Sequence, residues 1–400
     1  MKNALKVVSL FVVVVLASFV IMSCGKSGGD NAEVKWVNGV PQVKKPVVIS
    51  ITDVGGAFAF TKEAFENYAK TYPKVVERFV YNQAPAPELP GKLLAMQKAN
   101  KSDIDLVVGG LDILSSGIDQ GLWEKIDFDK YLPDFKKSLI DPAVATQALA
   151  QDFAVQVGFM TNGPYLEYNP DKVKNPPNTP EALLAWAKAN PGKLIYARPA
   201  NSGPARSFIM GLPYLLGDKD PKDPVKGWDK TWAYLEELGK YIDYYPTGTG
   251  ATMKEFGEGT RWMTLTTTGW DINPRALGIV PENFEIIFFK NMTFVNDEQY
   301  MHMPKGLSAE KKAIVLHIMN FMTQPAQQAL TWDKGYFYPG PVIKGVPLSM
   351  APAESQEVMK RYGRAAYETI TRDFKQAVPL NPQDLVTAFK IWDDRVGSKK

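Results

Sequence analysis

From residue 46 onward, short apolar runs alternate with segments whose apolar residues recur at helical spacing. Val47-Val48-Ile49-Ser50-Ile51 predicts a strand. Ala64, Phe65, Tyr68, Ala69 and Tyr72 then share one helical face, with Thr61 a suitable N-cap. Val75 to Tyr81 predicts a second strand, and Pro90 opens a helix through Leu93, Leu94 and Met96. Ile104-Asp105-Leu106-Val107-Val108 predicts a buried strand ending at Gly109-Gly110. This β-α-β-α-β order implies an α/β fold, a parallel sheet covered by helices.

The pattern restarts near Asp152. Phe153 to Met160 predicts a strand, followed by Thr161-Asn162-Gly163-Pro164. Thr179-Pro180-Glu181 caps a helix carrying Leu183, Leu184 and Ala187. Leu194-Ile195-Tyr196-Ala197 runs into the polar stretch Asn201 to Ser207. Trp228, Trp232, Leu235 and Leu238 mark a helix in which both indoles belong to the core. Trp262 to Thr266 predicts a strand entering Thr267-Thr268-Gly269-Trp270-Asp271. Residues 155–285 thus form a second α/β unit. Glu285 to Lys290 and Tyr300 to Met303 predict strands that return to the first unit. Ser308 caps the next helix, and Glu354 to Gln376 and Asp384 to Val396 are predicted helical, the last started by Asn381-Pro382.

The amino terminus changes the picture. A basic start, an apolar run from Val7 to Met22 and small residues before Cys24 form a secretion signal, too short for a comfortable membrane span. Cys24 is the only cysteine, so no disulfide framework exists. Gly25 to Lys45 is polar and Gly-rich, the composition of a flexible tether. Lys plus Arg and Asp plus Glu nearly balance, at +3 overall and +1 once Lys2 and Lys6 leave with the signal. That gives no reason to expect nucleic acid as a partner. Two separate histidines, His302 and His317, exclude a zinc site of ordinary spacing, and no cofactor or metal is expected.

In open α/β sheets, ligands bind beyond the carboxyl ends of strands, so the loops there are informative. Thr52 to Phe58 offers Asp53 for a cation, Gly56 for close backbone approach, and Phe58 beside free amides at a helix start. Gly109 to Asp112 repeats the pattern with Asp112. Asn201, Ser202, Arg206 and Ser207 precede a helix, and Arg206 either clamps a carboxylate or phosphate or pairs with a carboxylate across a cleft. Thr268, Trp270 and Asp271 suit a polar ligand with an apolar or cationic part. Asn82 and Asn162 also follow strands.

Several stretches together carry a family resemblance. Ile21-Met22-Ser23-Cys24 resembles the lipobox of bacterial lipoproteins, which implies cleavage before Cys24 and lipidation of its thiol. Asp105-Leu106-Val107-Val108 before a Gly pair, Val155-Gln156-Val157-Gly158-Phe159 leading to Tyr168-Asn169-Pro170, Thr179 to Ala187, and Met303-Pro304-Lys305-Gly306 before a helix ending at Gln324-Pro325-Ala326-Gln327-Gln328 carry the rest. From about 46 to 395, the chain resembles the extracellular solute-binding proteins of ABC importers, in the group that includes polyamine, iron and thiamine receptors.

The resemblance implies a periplasmic-binding-protein fold: two lobes joined by two hinge crossings, closing on a ligand and presented to a permease. The expected divisions are a signal peptide at 1–23, a lipidated tether at 24–45, lobe 1 at 46–152 plus 286–340, lobe 2 at 153–285, and a C-terminal helical segment at 341–400 packing on the lobes. Asp53, Asn82 and Asp112 are expected on one wall; Arg206, Thr268 and Asp271 on the other. The expected partners are a small solute, polyamine-like or zwitterionic or anionic, an importer permease, and a membrane reached through Cys24. The chain is expected to act as a monomer, facing the periplasm or cell exterior. The alternative is an anchored hydrolase using cleft carboxylates; with two isolated histidines, a Ser-His-Asp triad is not expected.

Overall fold

The computed structural model describes residues 34–400, so the signal segment, Cys24 and the start of the tether lie outside the described residues. The chain folds around two sheets. The first runs in the order Pro339–Gly340, Ala154–Gly163, Thr293–His302, Leu106–Gly110, Val47–Asp53, Val76–Gln83, with Lys375–Ala377 added beside Thr293–Val295. Its last three strands in that order are mutually parallel, and Thr293–His302 joins them antiparallel. The parallel strands are covered on both faces, which is why Leu106-Val107-Val108 is continuously apolar. The second sheet has the order Glu285–Phe288, Tyr165–Tyr168, Met263–Thr266, Leu194–Ile195.

The sheet memberships place the crossings later than the sequence pattern suggests. Ala154–Gly163 pairs with Thr293–His302 in the first sheet, and the chain changes sheet at Gly163-Pro164 rather than near 153. Glu285–Phe288 still pairs with Tyr165–Tyr168, so the return comes between Phe288 and Thr293 rather than at 285. The cause is a strand buried along its whole length, whose polar centre hid its extent.

Three further differences have local causes. Thr61 is not an N-cap: the first helix starts at Phe58 and Thr61 Oγ1 bonds back to the Ala57 carbonyl at 2.7 Å. The stretch 354–376 is broken into a helix over Ala353–Tyr362, short turns and the strand Lys375–Ala377. Within the expected tether, Trp36–Val37 and Val40–Pro41 form a small hairpin, and the Trp36 ring packs 5.7 Å from that of Tyr131. Among the described residues, no helix is long and apolar enough to cross a membrane.

One hydrophobic cluster joins both lobes. It includes Leu114 and Trp123 of the first, Phe208, Trp228 and Trp232 of the second, and Trp392 of the last helix, Pro382–Arg395. That helix packs on Leu111–Asp119 and sets Trp392 4.8 Å from the ring of Tyr245. Trp123 also fixes the site-bearing helix Leu111–Asp119, because its indole lies where a Cβ on Gly117 would be, 2.0 Å from Nε1. Gly117→Ala is therefore expected to cost about 1–3 kcal/mol by overpacking. Urea denaturation measures it; a loss under about 0.5 kcal/mol, the range of a neutral surface change, would show that this contact does not hold the helix.

Candidate functional site

The helix Gly203–Leu216 starts where Ser202 Oγ accepts the Ala205 amide at 3.4 Å and Pro204 stands in the first turn, where no amide is needed. One turn in, Arg206 lies on the buried face and reaches the strand Thr293–His302. Its Nη2 donates to both Asp297 carboxylate oxygens at 2.8 Å, and its Nη1 stands 3.6 Å from Asp112 Oδ2. Asn162 Nδ2 donates to the same Asp297 at 3.3 Å. A Cβ on Gly203 would lie 2.9 Å from Asp297 Oδ2, so the missing side chain lets that carboxylate sit against the positive end of the helix.

Beside this ion cluster is an inner cavity of about 50 Å³, room for a few water-sized molecules. Asp112, Asn162, Arg206, Asp297 and Gln299 give it charge and amides; Ser202, Thr249 and Thr267 give it hydroxyls. Met160, Trp270, Tyr336 and Phe337 close it with apolar surface. Asn162 Oδ1, Gln299 Oε1 and Arg206 Nε are buried and have no partner among the described residues. Unsatisfied polar atoms are costly in a folded interior, and three around one cavity mark a place built for a guest. A Cβ on Gly110 would lie 3.1–3.3 Å from Asp112, Arg206 and Gln299, so this glycine keeps the cavity open.

An outer cavity of about 410 Å³ shares Gly55, Asn201, Thr249, Trp270 and Tyr336 with the inner one. Tyr336 and Trp270 form the partition, ring centroids 5.3 Å apart. The Tyr336 hydroxyl donates to the Gly55 carbonyl at 2.7 Å. Gly56, at φ +88°, is the seat of that hydroxyl: a Cβ there would lie 2.2 Å from it.

Burial dominates the electrostatics. It raises Asp112 above the usual carboxylate range, against the opposing pull of Arg206. It opposes the charge on Arg206 too, but Asp297 and then Asp112 overcome it and keep the guanidinium protonated. Glu298, next along the strand, is pushed well above the usual carboxylate range by burial and then by Asp297.

The structure gathers some sequence-predicted residues and disperses others. Asp112, Asn162, Asn201, Ser202, Arg206 and Trp270 line the inner cavity. Asp53 and Gly56 line the outer one, but both Asp53 oxygens accept backbone amides, from Ala57 at 2.7 Å and Phe58 at 3.1 Å. Phe58 packs edge-on against Tyr81, and Asn82 is exposed and bonds Ser50, so neither lines a cavity. Ser207 turns back onto the Gly203 and Pro204 carbonyls inside the helix. Thr268 Oγ1 ties the Thr161 and Tyr338 carbonyls together while its neighbour Thr267 faces the cavity. Asp271, expected on the ligand wall, is 0% exposed in a separate ion network with Arg275, Arg364 and Tyr367. It sits one helical turn in from Thr267, pointing away from the cavity residues.

Asp297, Gln299, Thr249 and Tyr336 escaped the sequence reading. The first two had a signal: Asn296-Asp297-Glu298-Gln299 is a polar run between apolar Phe294-Val295 and Tyr300-Met301 in a strand without one exposed residue. Among the described residues, no group of three or more acidic, His or Cys side chains is arranged to hold a metal ion.

Residues 63–360 match the family model of the bacterial extracellular solute-binding proteins. Protein YnjB of Escherichia coli K12 is 28% identical over 197 residues, 46% of this chain and 47% of its own, so the match spans about half of that curated relative. A putative spermidine/putrescine ABC transporter from Listeria monocytogenes superposes with a TM-score of 0.61 at 14% identity, over 87% of this chain and 98% of its own. The Atu4243-GABA receptor gives 0.62 at 18%, over 88% and 96%. AgtB from A. tumefaciens R10, solved with agropinic acid, gives 0.56 at 18%, over 88% and 97%. At these identities the structural likeness is one of fold.

Removing the guanidinium should leave Asp112 and Asp297 as buried carboxylates without a counter-ion. Arg206→Ala is expected to lose about 3–5 kcal/mol at neutral pH. Asp112 is already shifted upward, so protonation favours the folded state, and the penalty for its charge fades as pH falls. The deficit should therefore shrink between pH 7 and pH 5 in paired denaturation curves. A deficit that grows on acidification contradicts this account.

Proposed function

This chain belongs to the bacterial extracellular solute-binding protein family, and we propose that its solute carries an ammonium group, held in the inner cavity against Asp112. The observation that carries this is the unequal satisfaction of two carboxylates around one guanidinium. Asp297 takes both short bonds from Arg206, the Asn162 amide and the helix start. Asp112 has one distant guanidinium contact and the Ile113 amide at 2.9 Å. Among the charged side chains that line the cavity, two carboxylates, Asp112 and Asp297, face the one guanidinium of Arg206. Of the two groups that suited an anion, Arg206 gives both of its short Nη2 bonds to the protein's own Asp297, and the start of its helix faces that same carboxylate. The spermidine/putrescine and GABA proteins of like fold are named for compounds with ammonium groups, in keeping with this reading.

Binding works by closure. Asn201, Ser202, Arg206, Thr249, Thr267 and Trp270 come from the second lobe, and Asp112, Asp297 and Gln299 from strands and turns of the first. A solute touching both sets stabilises the closed form over the open one. The closed form is then handed to an ABC importer permease, with the protein exported and lipid-anchored through Cys24. Membership of a solute-binding family supports capture over hydrolysis.

A thermal-shift screen of amines, amino acids, phosphonates and vitamins should give hits bearing a positively charged nitrogen; stabilisation by anions alone would defeat the assignment. With a hit in hand, Asp112→Asn should weaken binding by about 10–100-fold, the loss of roughly 1.4–2.8 kcal/mol of charge pairing, while Asn82→Ala stays within about twofold. A cation favours the ionised form of Asp112, so affinity should fall as pH drops below neutral. Calorimetric titration at several pH values reads that slope, and a rise in affinity on acidification contradicts the role of Asp112.

A further inference from the structure

The inner cavity is too small for a whole metabolite. At about 50 Å³ it takes an ammonium and a few attached atoms, whereas the outer cavity beyond the Trp270–Tyr336 partition is about 410 Å³. The two share five lining residues, so one molecule reaching past the edge of this ring pair would occupy both.

The chemistry of the outer cavity differs from that of the inner one. Its single charged lining side chain is Asp53. Both oxygens of that carboxylate are committed to the Ala57 and Phe58 amides, and burial raises its pKa to about 6. Asp53 is only 1% exposed, so a second cation would have to reach a buried carboxylate and share both of its oxygens with those amides. What the outer cavity does offer is two aromatic rings, the backbone of Gly55, Gly56, Gly248 and Gly250, and neutral amides from Gln83 and Asn201. Glycine-bordered walls admit a flat group closely, and ring faces favour apolar or π-rich surface.

We infer that the solute is bipartite, a compact ammonium head in the inner cavity joined to a flat, uncharged body lying against Trp270 and Tyr336 in the outer one. This rests on the ammonium assignment above and sharpens it: a chain with two terminal ammonium groups fits poorly, because its second charge would meet a buried carboxylate whose two oxygens already accept backbone amides. Trp270 and Tyr336 are then specificity residues, selecting the body rather than the head.

Three probes separate the possibilities: methylammonium for the head alone, phenethylammonium for head plus flat body, and putrescine for two charges. Calorimetric titration of the full exported chain should give phenethylammonium an affinity at least about tenfold above both others. In Tyr336→Ala and Trp270→Ala the ratio of phenethylammonium to methylammonium affinity should fall to within about twofold, while Asn82→Ala, outside both cavities, should keep the roughly tenfold ratio; a change in the ratio of two bound ligands is an effect that misfolding would not produce. Tyr336→Phe, which keeps the ring and loses the hydroxyl, should retain the preference. Putrescine binding as tightly as phenethylammonium, or a preference that survives both alanine variants, overturns the bipartite solute and leaves the ammonium site standing. Failure of all three ammonium compounds to bind overturns the ammonium site itself.

Discussion

The fold depends at its centre on one buried charge, Asp297, in the strand through which the chain returns to the first sheet. An ionised carboxylate without water is expensive, and only the simultaneous presence of Arg206, the Asn162 amide and the start of the helix Gly203–Leu216 offsets that cost. Arg206 and its helix belong to the second lobe. The pair therefore ties the two lobes together across the cavity. A buried pair of this kind adds little net stability, because desolvation nearly cancels attraction.

A second buried ion network makes an instructive contrast. Asp271 receives Arg275 at 2.9 Å, Arg364 at 2.8 Å and the Tyr367 hydroxyl at 2.6 Å. Its carboxylate is saturated, and the network fastens the segment around Tyr367 to the second lobe. The cavity cluster instead leaves an amide oxygen on Asn162, another on Gln299 and the Arg206 Nε without partners. Both clusters are buried and rich in Asp and Arg, so composition does not separate them; the cavity does, since Asp297 and the unpartnered atoms of Asn162, Gln299 and Arg206 border open space and Asp271 does not. Asp53, whose two oxygens already cap a helix start, is demoted from ligand partner to the wall of the outer cavity.

The C-terminal segment completes the scaffold. It is bound to the second lobe through Arg364 and Tyr367, adds Lys375–Ala377 to the crossing strand, and ends in a helix that packs on Leu111–Asp119, the helix that carries Asp112. Asp112 is therefore positioned by its own helix, just after the strand Leu106–Gly110, and by the last helix of the chain. Two glycines do comparable work on the cavity side: Gly110 keeps its space open and Gly56 seats the Tyr336 hydroxyl that closes it.

The sequence alone determined the α/β character, the two-unit order and most helix starts. These rest on local causes: apolar period, side-chain caps at Thr179, Ser308 and Asn381, and proline at first turns. It also marked the loops bearing Asp112, Asn162, Arg206 and Trp270, because Gly and polar residues after strands have local signatures. Tertiary structure alone decided which of those side chains share a cavity. Thr267 and Thr268 are neighbours, yet one faces the cavity and the other ties carbonyls together, since a helix start turns successive residues by about 100°. Asp271 and Asp297 are both buried aspartates, and only the groups brought to them from distant segments make one a tie away from the cavity and set the other in the cavity wall.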